Sequence, residues 1–219
     1  SSFSSTKVGD DDEFIELLSD NRLCPHLHIS LQSGSNRILR LMNRNYTRDY
    51  YLQIVEKLKT AISDLSIITD VIVGFPSETV EDFTDTINVI QQIQSLRTHI
   101  FPYSDRIGTA AAGFNDKVAD SIKTDRLKTL RQIAFEQTAN FILKRRGRVY
   151  TIIGEFTQNS VLGYTENYIR GCAQLPVNKK TNSTPNTEFI AGSIINDKII
   201  KVKIIGFDEH SETAIFDII

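Results

Sequence analysis

The pattern of hydrophobic and polar positions changes once along the chain, near residue 147. Before that point, apolar runs that suit buried strands alternate with stretches in which apolar residues recur every three or four positions. After it, short β-rich runs are separated by Gly, Asn, Asp and Ser, without helical periodicity. The pattern therefore predicts two domains, an α/β domain over residues 1–147 and an all-β domain over residues 148–219.

The clearest unit of the first domain is a strand, loop and helix in its middle. Residues 66–73 read SIITDVIV, a β-branched run that contains one carboxylate, Asp70. Such runs are typical of parallel strands that are covered on both faces. Gly74 and Pro76 end the strand, and Thr79 begins a helix with apolar residues on one side. Loops at the carboxyl ends of parallel strands hold the ligands of many α/β proteins, and a plain strand-to-helix turn is the alternative.

The same reasoning predicts the remaining elements. We expect further helices over residues 10–20, 36–42, 47–62 and 119–146, the last of them amphipathic, and strands at the chain start, from residue 26 and over residues 98–103. The alternation predicts a parallel sheet or part of a (β/α) barrel. In the second domain, strands are expected over residues 149–156, 163–169, 188–195, 199–205 and 213–216, with a polar loop at residues 178–186. Five short strands predict a small barrel.

Charge is distributed unevenly along the chain. Residues 117–205 contain 15 Lys and Arg against 7 Asp and Glu, although the whole chain has a net charge of −2. A basic segment suits a polyanion such as nucleic acid, and a solvated surface is the alternative. The two cysteines, Cys24 and Cys172, are too far apart to indicate a disulfide framework or a metal motif, so no metal ligands are expected in this chain. No run is long enough to cross a membrane, and a cytoplasmic location is expected.

Three loops that follow predicted strands would meet at one edge of the sheet. Together they offer small residues, hydroxyl groups, an amide and aromatic rings, which fit a nucleoside-like cofactor in a mostly apolar pocket. His26 and His28 lie on the same face of their strand as Gln32, and packing as ordinary core histidines is the alternative for both. The candidate cofactor-binding residues of these loops are Gln32, Ser33, Gly34, Ser35, Gly74, Phe75, Pro76, Glu78, Pro102, Tyr103 and Ser104.

Four ordered motifs resemble one enzyme family. HLHISLQSGSNRILRLMNRNYTRDYY at residues 26–51, TDVIVGFPSETVEDF at 69–83 and HIFPYSDRIGTAAA at 99–112 look like the radical S-adenosylmethionine methylthiotransferases. GYTENYIR at residues 163–170 resembles the signature of their C-terminal TRAM domain, a small OB-like RNA-binding β-barrel. Within the family, residues 24–28 and 99–104 resemble the branch that acts on threonylcarbamoyladenosine in tRNA. They are less similar to the branches that act on isopentenyladenosine or on a ribosomal protein.

The resemblance implies a fold and a chemistry. The fold would be part of a radical S-adenosylmethionine (β/α) barrel followed by a TRAM barrel. In that family a [4Fe–4S] cluster held by a Cys-x3-Cys-x2-Cys motif cleaves S-adenosylmethionine, and the radical allows a methylthio group to be installed at C2 of the modified adenosine. A second cluster in an N-terminal domain is implicated in sulfur delivery. The loops at residues 32–35 and 74–78 would hold S-adenosylmethionine, and residues 102–104 would lie near its adenine. The resemblance also predicts a set of residues that face tRNA, namely Arg148, Tyr164, Asn167, Tyr168 and Arg170.

The sequence departs from the family at the cluster motifs. Neither motif is present, and Cys24 and Cys172 match neither. We therefore expect this chain to be the C-terminal part of a cluster-bearing enzyme, inactive alone, with the cluster-bearing region as its partner. An enzyme of the same chemistry with another substrate is one alternative. A non-catalytic RNA-binding module is the alternative from a different class.

Overall fold

The computed structural model describes residues 2–3, 12–20, 22–175 and 198–219. Contacts between residues divide the chain into two compact units, Ser1–Phe141 and Ile142–Ile219. Within the described residues, no helix is long and apolar enough to span a bilayer. A domain boundary after residue 147 stays a proposal. Gly147 contacts the second unit: its N–H donates to Ile204 O at 2.8 Å.

The first unit contains a parallel sheet and its connecting helices. The strands pair in the order β1-β2-β3-β4 and every pairing is parallel, which confirms the parallel sheet predicted from the alternation. The strands are β1 (Ser2–Phe3), β2 (His26–Ile29), β3 (Ser66–Val73) and β4 (Arg97–Pro102). The helices are α1 (Asp12–Leu18), α2 (Asn36–Leu41), α3 (Arg48–Ala61), α4 (Val80–Ile93), a 3-10 turn (Ala110–Gly113) and α5 (Asp120–Leu143).

The predicted helix starts have a local physical cause. The Thr47 side chain accepts a hydrogen bond from the Tyr50 N–H at 3.2 Å, as an N-cap residue does. At the start of α4, Thr79 and Asp82 form a capping box, in which each side chain accepts from the backbone N–H of the other. The starts of α3 and α4 are therefore set by residues within one helical turn.

The two faces of the sheet differ. One face packs against the helices and forms the main core, with Ile29, Leu31 and Val71 against Tyr51 and other helix residues. The opposite face carries polar side chains from all three of β2, β3 and β4, and they alternate along the strands with the apolar residues Ile68, Ile72 and Phe101. The expectation that β3 is covered on both faces is wrong for its carboxyl half, because residues 70 and 72 are half-buried. This polar face is a central feature of the site described below.

Helix α5 ends earlier and is less amphipathic than expected. It stops at Leu143, so residues 144–146 lie in the turn that follows. Its buried residues include two polar ones, Arg126 and Thr138, beside the apolar residues Leu130 and Ile142.

The second unit is a closed five-stranded barrel. Its strands are β5 (Val149–Phe156), β6 (Ser160–Tyr164), β7 (Arg170–Gln174), β8 (Lys198–Asp208) and β9 (Thr213–Ile218), paired in the order β5-β6-β7-β9-β8. Each pairing is antiparallel except that of β7 with β9. The small barrel predicted from the spacing of β-rich runs is therefore confirmed.

The strand predicted over residues 163–169 is wrong. The chain turns there, and separate strands precede and follow the turn. Tyr168 N–H donates to Thr165 O at 2.9 Å, and Ile169 N–H donates to the Thr165 side chain at 2.9 Å. These local bonds outweigh the β propensity of the Tyr, Thr and Ile residues. The predicted strand at residues 188–195 and the polar loop at 178–186 lie outside the described residues.

Candidate functional site

The three loops chosen from the sequence leave the sheet at one edge. After β2, the Gln32 N–H donates to Asp70 O at 2.8 Å and Gln32 O accepts from Ile72 N–H at 2.9 Å. After β4, the Tyr103 N–H donates to Val73 O at 2.8 Å. Because β2, β3 and β4 are parallel, their following loops begin side by side. This arrangement is the one in which α/β folds hold ligands.

The loop after β2 is held mainly by helix α4. Ser33, Gly34 and Ser35 are buried. The Gly34 N–H donates to Thr86 Oγ1 at 3.0 Å, and a Cβ on Gly34 would lie 2.5 Å from Thr86 Cα. Gly34 is therefore required for close packing against a helix, not for the approach of a ligand. The side chain of Gln32 is half-buried, and its Oε1 accepts from Arg44 at 3.3 Å.

Asp82 is the anchor of this loop. Its carboxylate accepts from Ser35 Oγ at 2.6 Å, from the Thr79 N–H at 2.9 Å and from the Arg37 guanidinium, with which it forms an ion pair. Burial acts to raise the pKa of Asp82, but the hydrogen bonds from Arg37, Ser35 and Thr79 outweigh it and hold that pKa well below its ordinary value. A charged Asp82 thus joins the loop to the start of α4.

The loop after β3 satisfies its own polar groups. The Gly74 N–H donates to Glu78 Oε2 at 2.7 Å, and the same carboxylate forms a buried ion pair with Arg126 of α5. Gly74 has a φ of +72°, and the Lys123 side chain lies where a Cβ on Gly74 would be. Burial raises the pKa of Glu78, although the Gly74 N–H and Arg126 oppose that shift. Glu78 Oε1 is buried and has no hydrogen-bond partner among the described residues.

A cavity of about 320 Å³ brings together some of the predicted residues. Gly74, Tyr103 and Ser104 line it, together with two acidic and two basic side chains. Its volume is at the lower end for small-molecule sites. Lys117 Nζ lies 5.4 Å from the centre of the Tyr103 ring and pairs with Asp105, and Lys123 pairs with Asp120 at 3.1 Å. The charged residues of this cavity are Asp105, Lys117, Asp120 and Lys123.

The other predicted cofactor residues do not line this cavity. Phe75 is buried and packs edge-on against Tyr103, with ring centroids 5.1 Å apart. Pro76 is buried and Pro102 is exposed at the end of β4. The other predicted residues outside the cavity are Glu78 and the four residues of the loop after β2, which make the contacts given above. The structure therefore separates the residues that can touch a ligand from those that hold the loops in place.

The described residues do not fit an iron–sulfur cluster. Among them, no group of three or more His, Cys, Asp or Glu side chains could hold a metal ion. Cys24 is exposed after helix α1, and Cys172 lies half-buried in β7 of the other unit. Cluster binding requires several neighbouring thiolates.

Sequence reasoning missed a polar cluster on the open face of the sheet. Ser30 Oγ donates to Asp70 Oδ2 at 2.5 Å, and His28 Nε2 lies 2.9 Å from the same oxygen. The His28 and His99 rings are 5.8 Å apart between centroids. His26, in contrast, bonds to Ser66 Oγ at 2.9 Å. The available signal was Asp70, a lone carboxylate in a β-branched strand, but its partners depend on the strand pairing.

The second unit presents aromatic and basic side chains on its surface. Tyr164 and Tyr168 are exposed, with ring centroids 4.7 Å apart and planes 31° from parallel. Arg148 and Arg170 are exposed as well. Asn167 does not join them, because it is fully buried and its Oδ1 accepts from Thr165 Oγ1 at 2.6 Å. The expectation that Asn167 faces RNA is therefore wrong, since its amide is used inside the turn.

Comparisons with known proteins agree with the fold and the motifs. The Radical SAM superfamily profile matches residues 2–90. Among solved structures, coproporphyrinogen III oxidase (HemN) from Escherichia coli, described as a radical SAM enzyme, has a TM-score of 0.53 and 18% identity over 62% of this chain and 31% of that chain. At this identity the likeness shows the fold alone. The match to the radical SAM superfamily therefore applies to residues 2–90.

The curated proteins that resemble this chain are tRNA methylthiotransferases. The tRNA-2-methylthio-N(6)-dimethylallyladenosine synthase of Caldicellulosiruptor saccharolyticus is 38% identical over 91% of this chain and 40% of that protein. The threonylcarbamoyladenosine tRNA methylthiotransferase MtaB of Bacillus subtilis is 36% identical over 87% of this chain and 41% of that protein. A second dimethylallyladenosine synthase, from Thermoanaerobacter sp. (strain X514), is 34% identical over 88% of this chain and 39% of that protein.

The predicted resemblance to the radical S-adenosylmethionine methylthiotransferases is confirmed, and the chain is a relative of the tRNA methylthiotransferases. It spans about two fifths of the length of these curated relatives.

Proposed function

We propose that this chain is part of a tRNA methylthiotransferase that adds a methylthio group to a modified adenosine by radical S-adenosylmethionine chemistry. The observation that carries this proposal is sequence identity of 34–38% to curated tRNA methylthiotransferases over 87–91% of the chain. The parallel sheet with its loops at one edge agrees with it, because that edge suits a nucleoside cofactor.

The substrate that we propose is N6-threonylcarbamoyladenosine, modified at C2. The resemblance of residues 24–28 and 99–104 to that branch supports it. Isopentenyladenosine in tRNA and a ribosomal protein are the alternative substrates. Identity does not separate the two tRNA substrates, since the threonylcarbamoyladenosine relative is 36% identical and the dimethylallyladenosine relatives are 34% and 38% identical.

Gly74, Tyr103 and Ser104 are the residues that we propose to contact S-adenosylmethionine. They line the cavity, in which the Tyr103 ring suits an adenine and the charged groups suit the methionine zwitterion. When bound at a reduced cluster, S-adenosylmethionine supplies a carbon radical. The buried residues of the two neighbouring loops would act indirectly, by holding the loop backbones against α4 and α5.

The cluster ligands of such an enzyme are not provided by Cys24 and Cys172, which lie in different units. We therefore expect the 219-residue chain alone to be inactive and to show no iron–sulfur absorbance after anaerobic reconstitution with iron and sulfide. A stable absorbance band with stoichiometric iron would contradict this expectation.

The barrel of the second unit is the part that we propose to bind tRNA, as a TRAM domain would. Tyr164 and Tyr168 offer stacked, exposed rings on which unpaired bases can pack. Arg148 and Arg170 offer cations for phosphates. A non-catalytic RNA-binding module remains the competing function. It would be favoured if the natural gene product carried no cluster-binding cysteines.

The proposed function is tested by deleting the gene and digesting total tRNA to nucleosides for mass spectrometry. We expect the methylthio form of threonylcarbamoyladenosine to disappear and its unmodified parent to accumulate, and a plasmid copy of the gene to reverse both changes. If the methylthio group is lost from isopentenyladenosine instead, then isopentenyladenosine in tRNA is the substrate. Unchanged methylthio nucleosides would exclude a tRNA methylthiotransferase.

A further inference from the structure

The open face of the sheet carries a polar cluster that the cofactor loops do not use. We call it the Asp70 cluster and define it as His28, Ser30, Asp70 and His99. Asp70 accepts from Ser30 Oγ and lies 2.9 Å from His28 Nε2, and His99 stands beside His28 with ring centroids 5.8 Å apart. In a (β/α) barrel the helices cover the outer face of the sheet, so this face is the one that lines the interior.

Arg97 adds a positive charge to the same face. It lies two residues before His99 on β4, so the two side chains point to the same side of the sheet. The Arg97 side chain is partly buried, and among the described residues its guanidinium makes no hydrogen bond or ion pair. An arginine can bury its aliphatic stem while its guanidinium stays in contact with water, so this cation is accessible to an anionic ligand. The face therefore offers a cation without a partner beside a set of hydrogen-bonding groups.

The surroundings favour a neutral His99. Burial lowers its pKa; the Asp70 carboxylate opposes this shift, whereas the neighbouring His28 and Arg97 strengthen it. A neutral imidazole donates from one nitrogen and accepts at the other. The face can thus bind a group that has both hydrogen-bond donors and acceptors, with Arg97 placed for an anionic end.

The two candidate adenosines differ in the chemistry of the N6 substituent. A threonylcarbamoyl group carries a carboxylate, a hydroxyl and a carbamoyl, whereas a dimethylallyl group is apolar. An apolar group on this face would leave the Arg97 guanidinium and the His99 imidazole without hydrogen-bond partners, and sites built for polar groups reject ligands that lack them. Residues 28 and 99 also belong to the two separate stretches that resemble the threonylcarbamoyladenosine branch, and the fold brings them together.

We propose that Arg97, His28 and His99 form the specificity site for the carboxylate-bearing N6 substituent of the substrate adenosine. Arg97 pairs with the carboxylate, and the two imidazoles hydrogen-bond to the hydroxyl and carbamoyl groups. Asp70 and Ser30 are positioning residues, since they orient the His28 ring and do not touch the substituent. This inference rests on the proposed function and assigns the substrate choice to named side chains.

The first test is nucleoside binding to the 219-residue chain. The chain has four histidines, so ¹³C-labelled imidazoles give a simple NMR spectrum. We expect N6-threonylcarbamoyladenosine to shift the resonances of His28 and His99 and to leave those of His26 and His210 in place. Dimethylallyladenosine should shift neither pair. Equal shifts with both nucleosides, or shifts confined to His26 and His210, would overturn the assignment.

The second test uses the variant Arg97→Gln in the same titration. Loss of a charge-assisted contact should weaken threonylcarbamoyladenosine binding by roughly tenfold to a hundredfold. The control is Arg131→Gln, which removes an exposed arginine from α5 and should leave the binding unchanged. Equal affinity of the Arg97 and Arg131 variants, with circular dichroism showing both folded, would overturn the role of Arg97.

The cellular test separates this inference from the proposed function. In the gene-deletion strain, the wild-type gene should restore the methylthio form of threonylcarbamoyladenosine, and genes carrying Arg97→Gln or His99→Leu should restore much less of it. His210→Gln is the control and should restore it fully. Full restoration by the Arg97 and His99 variants would overturn the specificity site while the proposed function stands. If the deletion itself changes no methylthio nucleoside, the proposed function fails.

Discussion

Asp82 shows how one side chain joins separate segments of the first unit. Its carboxylate caps α4 through Thr79, accepts from Ser35 in the loop after β2, and pairs with Arg37 of α2. In the sequence it is an ordinary acidic residue in the first turn of a helix. The sequence analysis identified Thr79 as the start of the helix but did not identify Asp82 as its second cap, because the loop and the arginine that complete the network lie more than 40 residues away.

We predict that Asp82→Ala lowers the free energy of unfolding by about 2 to 3 kcal/mol at pH 7, because charge-assisted hydrogen bonds and a helix cap are lost. The folded pKa of Asp82 is lowered, so its contribution is present above the ordinary pKa of 3.8 and is lost as the pH falls through the lowered value. The difference between variant and parent should therefore shrink from pH 7 to pH 3. Urea unfolding followed by circular dichroism at 222 nm measures it.

The control for this prediction is Asp125→Ala, which removes an exposed carboxylate from α5 and should change stability by less than about 0.5 kcal/mol. A deficit for Asp82→Ala that is the same at both pH values would show that the charge of Asp82 contributes nothing to folding.

At the scale of elements, the loop after β2 and helix α4 behave as one packed unit. The sequence predicted both elements and placed the loop at the carboxyl edge of the sheet. It did not show that Gly34 is in contact with the backbone of Thr86, since this contact depends on how far α4 approaches the sheet. A glycine in a polar loop suggested ligand access, but the structure assigns it to packing.

We predict that Gly34→Ala destabilises the first unit by about 1 to 3 kcal/mol or more, because the new Cβ would meet backbone atoms of α4 that cannot move cheaply. Gly113→Ala is the matched control, since a Cβ there has nothing within 4 Å. Thermal unfolding of both variants tests the prediction. Equal midpoints would mean that the loop is free to move away from α4, and the packing role would be lost.

Local turns limited the prediction of the second unit. Residues 163–169 contain Tyr, Thr and Ile, which favour strands, yet Tyr168 adopts a φ of +66° in a turn closed by Thr165 and Asn167. A non-glycine residue with a positive φ is uncommon, so residue preferences alone predict a strand here and not a turn. The turn still keeps Tyr164 and Tyr168 together, because β6 and β7 form a hairpin on either side of it.

At the scale of the whole molecule, a net charge of −2 hides a basic segment. Binding of tRNA by the second unit would release counterions and depend strongly on salt. We predict that replacing both Arg148 and Arg170 by Ala weakens tRNA binding and reduces the slope of log affinity against log salt concentration by about one per lost phosphate contact. Fluorescence anisotropy with labelled tRNA between about 50 and 200 mM salt measures this slope.

The control for this prediction is the double variant of Lys128 and Arg131 to Ala, which removes two exposed cations of α5 in the first unit. It should leave the slope closer to that of the parent. If the two double variants change the slope equally, the barrel surface is not the specific site of RNA binding.

The sequence alone determined the features that depend on neighbours within a few residues. These are the order of strands and helices in the first unit, the N-caps Thr47 and Thr79, the small barrel and the motifs that resemble those of the family. Only the tertiary structure decided which distant groups meet. Asp70 lies 40 residues from Ser30, and Glu78 lies 48 residues from Arg126, so their pairing depends on strand register and helix packing. For this reason the edge at which the three loops meet could be predicted, whereas the cluster of His28, Asp70 and His99 could not.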